Sequence, residues 1–317
     1  MNTEKKKLVI LTGPTAVGKT EISIKLAKAI DGEIISADSI QVYKHLDIGS
    51  AKITKDEMDG VTHYLIDVLE PNEEFNIFTF KEMALKAMDE IYDKGKIPII
   101  VGGTGFYIQS VLYDINFEET DVDYDYRNEL EKLADDKGNE YIHQLLMDVD
   151  PDYAKDLHPN NRKRVIRALE FYHKNKTPIS AHNTKQRQND SPYNFAYYVL
   201  NDDRGVLYIR INRRVDLMFD EGLVDEVNNL REKGFNETYQ CMQGIGYKEV
   251  FEYLNGNLSL DDTKELIKKN TRHFAKRQLT WFRREKEVTM VNYPNFDNDK
   301  DKILDYIIND LKTRGIF

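Results

Sequence analysis

Cysteine is nearly absent. Cys241 stands alone among 317 residues, so there is no disulfide framework, and the chain suits a reducing compartment. No catalytic histidine or asparagine signature borders it, and it reads as structural. The seven histidines and Cys241 show no zinc-ligand spacing. No run approaches the ~18 apolar residues of a membrane span. Residues 1–7 lead into an apolar stretch too short for a signal-peptide core and lacking a cleavage site, so the expectation is a cytoplasmic protein without membrane contact. An N/T-K-x-D guanine-reading motif is missing, which counts against a non-catalytic, GTPase-like RNA-binding module. Positive charge is also in deficit. A net charge of -10, taken alone, argues against a nucleic-acid partner.

Hydrophobic residues make up 40% and charged residues 32%, an ordinary balance for a soluble globular chain. The length accommodates one large domain or two moderate ones with an ample core. The charge is unevenly spread. Residues 114–152 hold 14 acidic and 3 basic side chains, residues 160–190 hold 8 basic and 2 acidic, and residues 264–286 hold 9 basic and 2 acidic. Each basic stretch reads either as a solvated helix face or as a grip on a polyanion.

The strongest positive signal is Gly13-Pro14-Thr15-Ala16-Val17-Gly18-Lys19-Thr20, which fits G-x-x-x-x-G-K-T without mismatch. An apolar run precedes it, and Ile22, Leu26, Ala29 and Ile30 follow at helical spacing. Gly13 and Gly18 let the backbone curl so that successive N–H groups point inward. The helix start adds the positive end of its dipole. Lys19 brings a full charge to the terminal phosphates, and the Thr20 hydroxyl can reach a bound Mg²⁺. The motif marks a polyphosphate site without naming what carries the phosphates.

Five β-rich runs read as strands: 7–11, 33–36, 63–68, 97–101 and 206–211. The first four alternate with helical patterns such as 21–30 and 78–94, which predicts an α/β fold, a P-loop domain with a parallel sheet covered on both faces. From residue 115 the composition turns to helix formers and charges, and strand character returns from Tyr193. A small helical domain, 115–190, is therefore expected as an insertion in a catalytic core formed by 1–114 and 191–317. Residues 300–317 read as an amphipathic helix packed on that core.

Asp38 falls at the carboxyl end of the second strand, beside the P-loop. It can ligate a metal, act as a general base, or cap a following helix. Gly49, Ser50 and Lys52 read as a loop able to close over a ligand, and residues 54–62 as a surface turn or short helix. Asp67, placed in the third strand, is either a supporting carboxylate or a buried structural one. The fourth strand runs into Gly102-Gly103-Thr104-Gly105-Phe106-Tyr107, a second glycine-rich turn, and carries no Asp where a motor-type ATPase has its Walker-B carboxylate.

The P-loop, then Asp38-Ser39-Ile40-Gln41-Val42-Tyr43, Asp47-Ile48-Gly49-Ser50-Ala51-Lys52 and the second glycine turn together resemble the bacterial tRNA dimethylallyltransferase (tRNA isopentenyltransferase) family. The likeness continues through residues 158–170, 210–218, 243–249 and 271–283. Some members carry Thr at Ser50, and the zinc finger of eukaryotic members is absent. The resemblance implies transfer of a dimethylallyl group from dimethylallyl diphosphate to N6 of the adenosine 3′ of the anticodon, with Mg²⁺ as cofactor. It implies Asp38, Lys19, Thr20 and Arg214 as catalytic residues, with Arg214 on the diphosphate, Gly13 to Thr20 as diphosphate site and Thr20 as metal contact. It further implies tRNA contacts at Asp38, Ser39, Ile40, Gln41, Thr104, Arg127, Arg162, Lys163, Arg164, Val165, Arg167, Gly246, Tyr247, Arg272, Lys276 and Arg277. The helical insertion would clasp the anticodon stem-loop, aromatics such as Tyr107 would stack on displaced bases, and the protein would act as a monomer. A P-loop kinase of a small metabolite is the rival. It explains the P-loop and Asp38 but needs neither basic stretch.

Overall fold

The computed structural model describes residues 5–115, 123–186 and 189–317. Residues 1–4, part of the acidic stretch (116–122) and residues 187–188 of the first basic stretch lie outside the described residues. The chain divides into two compact units, Met1–Leu112 with Pro192–Phe317, and Tyr113–Ser191.

The first unit opens with β1 (Lys6–Thr12), whose Leu8 to Leu11 are fully buried, as expected of a strand covered on both faces. The P-loop joins it to α1 (Lys19–Ala29), which turns Ile22 and Leu26 into the core. Then come β2 (Gly32–Ala37), buried along its length, and the short β3 (His63–Tyr64). Helix α2 (Ile77–Asp93) starts where the Asn76 side chain accepts from the N–H groups of Phe78 and Thr79. Strand β4 (Ile97–Gly102) delivers the second glycine turn to α3 (Gly105–Leu112).

The second unit consists of α4 (Tyr124–Lys137), α5 (Asn139–Val149), α6 (Pro151–Lys155), α7 (Arg162–Asn175) and α8 (Ile179–Gln186). Leu130, Ile142, Leu146, Val165, Ile166 and Leu169 form a core of its own.

The chain returns to the first unit through β5 (Tyr193–Asn201), α9 (Arg204–Asp220), α10 (Leu223–Glu232), α11 (Tyr247–Leu254), α12 (Leu260–Phe282), β6 (Val288–Asn292) and α13 (Lys300–Thr313). Ile303, Ile307 and Leu311 seat α13 in the same core as α1. The strands form one parallel sheet in the order β3-β2-β4-β1-β5-β6. From β1 the chain moves to one side of the sheet, and from β4 it crosses to β5 on the other. The order reverses beside β1, and in open parallel sheets that is where ligands gather, outside the carboxyl ends.

Two strand expectations fail. Residues 206–211 are helical, inside α9, with Leu207, Ile211 and Val215 buried at a four-residue spacing. Their β-branched and aromatic content is overridden by topology, because β5 ends at Asn201 and a further parallel strand needs a crossover first. Strand β3 stops at Tyr64. Leu65 and Asp67 take positive φ (63° and 55°), and residues 67–69 bond to 41–44 rather than to β2. Asp67 is thus neither in a strand nor buried. Its half-exposed carboxylate pairs with Lys52. Residues 54–62 form turns without a helix. Strand β6, Val288-Thr289-Met290-Val291-Asn292, is an addition to the expected strands, although its β-branched residues suit one.

Candidate active site

The P-loop emerges from the carboxyl end of β1 with positive φ at Gly13 (148°), Ala16 (62°) and Gly18 (96°), the backbone form of an anion nest. Gly13 has a second requirement, since a Cβ there would lie 2.4 Å from the Leu200 carbonyl oxygen of β5. Gly18 is the N-cap of α1, which aims the helix's unpaired N–H groups at the loop. The Lys19 ammonium donates to the carbonyls of Gly13 (3.0 Å) and Pro14 (2.9 Å). Burial, then the nearby Arg214, pulls its pKa down to about 8, while Asp38 opposes the shift. Thr20 is exposed in the first turn of α1.

Arg214 reaches this cluster from α9, not from a strand end. It follows exposed Arg213 and precedes buried Val215, so it lies half-buried, and burial pulls its pKa down against the charges of Asp38, Glu57 and Glu221. Asp38 completes the group. Its Oδ1 accepts from the N–H groups of Ile40 (2.8 Å) and Gln41 (3.2 Å), so it caps a tight turn rather than a helix. Its charge acts on Lys19, Arg214 and Tyr107 together, which puts two cations and one carboxylate in a single neighbourhood.

A frame of long-range contacts holds these loops. The Gln278 side chain on α12 accepts from Thr15 N–H (2.9 Å) and donates to the Gly103 carbonyl (3.0 Å). Thr104 N–H reaches the carbonyl of Ala37, one residue before Asp38. The Glu226 carboxylate on α10 accepts from the N–H groups of Asp47, Ile48 and Gly49 and from the Tyr247 hydroxyl. The Lys52 ammonium ties the Tyr43 carbonyl to Asp47 and Asp67, and Gln41 Nε2 donates to the carbonyls of Ser50 and Ala51. Glu226→Ala would strand three backbone donors and a buried phenol. An expected loss of about 3 kcal/mol in unfolding free energy, with faster amide exchange at residues 47–49, can be read by urea denaturation and hydrogen exchange.

The residues expected to touch RNA divide. Lys276 and Arg277 on α12, and Lys163, Arg164 and Arg167 on α7, are exposed. Arg272 is half-buried and donates to Asn212 Oδ1 (2.6 Å). Arg162 is held by Glu131 and Asp135, and Arg127 lies in a two-point fork with Glu170 (2.7 and 2.8 Å). Three expectations are corrected. Val165 has no exposed surface because it sits on the core face of α7 with Ile166 and Leu169. Tyr247 is equally buried, its ring filling the space where a Gly49 Cβ would stand and its hydroxyl bound to Glu226. Tyr107 cannot stack on a base, since its ring is stacked on Phe80 (4.5 Å between centroids) and edge-on to Phe75. Burial and the charge of Asp38 push its phenol up to about 12. Cys241 is buried with its pKa raised to about 11, as suits a structural thiol. Ser39 and Ile40, next to Asp38, are partly covered, and Gly246 is buried.

Gln278 and Glu226 escaped the sequence reading. A faint signal existed for Gln278: with Ala275 and Phe282 it falls at i, i+3, i+7 on the apolar face of a basic helix. No group of three or more His, Cys, Asp or Glu able to hold a metal occurs among the described residues. A divalent cation here would take the Thr20 hydroxyl, with phosphate oxygens and waters as its other ligands, a donor set that suits Mg²⁺.

The family model for IPP transferase matches residues 41–285. The chain belongs to the IPP transferase family. A tRNA dimethylallyltransferase of Lachnoclostridium phytofermentans is 59% identical over 292 residues, 92% of this chain and 93% of the relative. The crystal structure of the full-length tRNA isopentenylpyrophosphate transferase from Bacillus halodurans matches with a TM-score of 0.72 at 44% identity, covering 98% of both chains. A eukaryotic dimethylallyltransferase crystallised acting on tRNA matches with a TM-score of 0.77 at 30% identity, over 90% of this chain and 74% of that one. Membership of the IPP transferase family leaves the kinase reading without support. No helix among the described residues is long and apolar enough to cross a membrane.

Proposed function

We propose that this enzyme transfers the dimethylallyl group of dimethylallyl diphosphate to N6 of the adenosine 3′ of the anticodon in tRNA, releasing diphosphate. The observation that carries the reading is the gathering of Asp38, Lys19 and Arg214 at the P-loop. With a diphosphate held in the loop, Lys19 and Arg214 would supply charge to the leaving group and Asp38 a base for the nucleophile, and their mutual electrostatic effects support that reading. A C–N bond forms between the allylic carbon and N6, and the C–O bond to diphosphate breaks with its electron pair leaving on oxygen. The nest amides, Lys19 and Arg214 receive that charge, each donor contributing about 10²–10³ in rate. A divalent cation at Thr20 would neutralise the diphosphate further. The N6 proton passes to Asp38. N6 is a weak base, but its proton becomes acidic as the new bond forms, so a carboxylate suffices.

The acceptor adenosine must leave its stack, at a cost of about a few kcal/mol. Phosphate contacts from Lys163, Arg164, Arg167, Lys276 and Arg277 offset it. Arg127 and Arg162 act by shaping their own helical unit, where their guanidinium groups are already engaged. Lys276→Ala and Arg277→Ala are each expected to weaken stem-loop binding and to reduce the slope of log K against log salt by about 0.7–1. A slope unchanged in both variants would remove α12 from the RNA interface.

Incubation with labelled dimethylallyl diphosphate, Mg²⁺ and an anticodon stem-loop tests the reading. Label is expected in the RNA, and none when that adenosine is replaced by inosine, which lacks the exocyclic amine. Labelling of the inosine stem-loop would refute N6 as the acceptor.

A further inference from the structure

We infer that Gln278 is a positioning residue that locks the diphosphate loop to the Asp38 side of the site from the helix carrying the RNA-facing cations. The inference rests on the roles proposed above for Asp38 and the P-loop. Strands β1 and β4 are neighbours, and their two glycine turns leave the sheet side by side, with Thr12 opposite Gly102. At that last strand position the Thr12 hydroxyl donates to the Gly102 carbonyl. Beyond it Gln278 joins the turns, accepting from Thr15 in the first and donating to Gly103 in the second. One planar amide offers both an acceptor and a donor, which neither a carboxylate nor a hydrocarbon does. Gln278 is 6% exposed, so either bond left unmade strands a buried backbone group.

Gly103 is shaped to this contact. A Cβ there would stand 2.1 Å from Gln278 Nε2, and its next neighbour, at 3.3 Å, would be Gln278's own Cδ. Gly103 does not take positive φ, so its missing side chain serves space rather than backbone conformation. The next residue, Thr104, bonds Ala37 beside Asp38. The chain of contacts therefore runs from Thr15 through Gln278, Gly103 and Thr104 to the turn that holds the base. One and two residues before Gln278 on α12, Arg277 and Lys276 are exposed. The same helix thus fixes the leaving-group cradle relative to the base and presents positive charge outward.

Misplacing one reactant by about 1 Å can cost about 10² in rate. Gln278→Ala and Gly103→Ala are each expected to lower kcat by about that factor, with KM for dimethylallyl diphosphate and stem-loop affinity within about threefold of wild type. The double variant should be no slower than either single one, because the added methyl enters space the deleted amide has left. The Thr15 amide should exchange faster in Gln278→Ala. If that variant loses cooperative unfolding, Gln278→Glu, which keeps the volume and the acceptor but not the donor, carries the kinetic test. Single variants within threefold of wild-type kcat, or losses that multiply to about 10⁴ in the double variant, would overturn the inference. A wild-type enzyme without prenyl transfer would overturn the proposed reaction instead. The clamp would then stand or fall on Thr15 exchange alone, unchanged exchange in Gln278→Ala refuting it.

Discussion

Asp38→Asn is expected to lower kcat for prenyl transfer by about 10³, within the 10²–10⁴ span of a positioned general base. Asparagine keeps the oxygen that accepts from Ile40 and Gln41, so the turn stands, and what is lost is the charge and the proton acceptor. Stem-loop binding should stay within about threefold, which places the loss in the chemical step. Asp38→Ala removes the turn contact as well and should be the less stable of the two. The carboxylate also supports the charge on Lys19 and Arg214, so in Asp38→Asn the Lys19 ammonium should titrate below its wild-type value of about 8. Retention of more than a tenth of wild-type kcat in Asp38→Asn would remove Asp38 as the base.

Lys19→Met is expected to reduce kcat/KM for dimethylallyl diphosphate by about 10²–10³, because a buried full charge is withdrawn from the leaving group. The same substitution should stabilise the ligand-free protein. Lys19 titrates at about 8 in the folded protein, against the ordinary lysine value of 10.5 that applies to the unfolded chain. Between those pH values the unfolded chain holds a proton that the folded one has released, so wild-type stability rises with pH across that window. Below about 8 both states are protonated, and the buried charge costs on the order of 3 kcal/mol. Lys19→Met should therefore melt above wild type at pH 7, less so because two carbonyls lose their donor, and the gap should close toward pH 10.5. In wild type, diphosphate binding above about pH 8 should take up a proton, read as a buffer-dependent calorimetric heat. A melting-temperature gap between variant and wild type that is the same at about pH 7 and about pH 10, with no proton uptake, would contradict a depressed Lys19.

What could be seen in the sequence was chemistry written contiguously. The P-loop, Asp38 and the second glycine turn each fit in a few residues, and a parallel sheet brings the ends of β1, β2 and β4 together. Contacts between distant segments were invisible. Gln278 lies 263 residues from Thr15, and Glu226 lies 177 from Gly49. Nothing local distinguishes Glu226 from a solvated polar side chain, and the helical period says of Gln278 only that it faces inward, not what it binds. A contiguous motif also fails to separate the faces of a helix. Val165 stands between Arg164 and Ile166 in a basic run, yet the helical period turns it inward with Leu169. Residues 206–211 fail for the opposite reason. Local β preference is a weak prior, and the Leu207, Ile211 and Val215 spacing that fits the burial is helical.

The most direct test of a P-loop that holds a leaving prenyl diphosphate is the stoichiometry of a single turnover. Wild-type enzyme, Mg²⁺, doubly labelled dimethylallyl diphosphate and an adenosine-bearing stem-loop should yield one diphosphate released for each prenyl group on RNA, with ATP neither required nor consumed. Diphosphate appearing without RNA labelling, or ATP hydrolysed in step with a phosphorylated product, would contradict it.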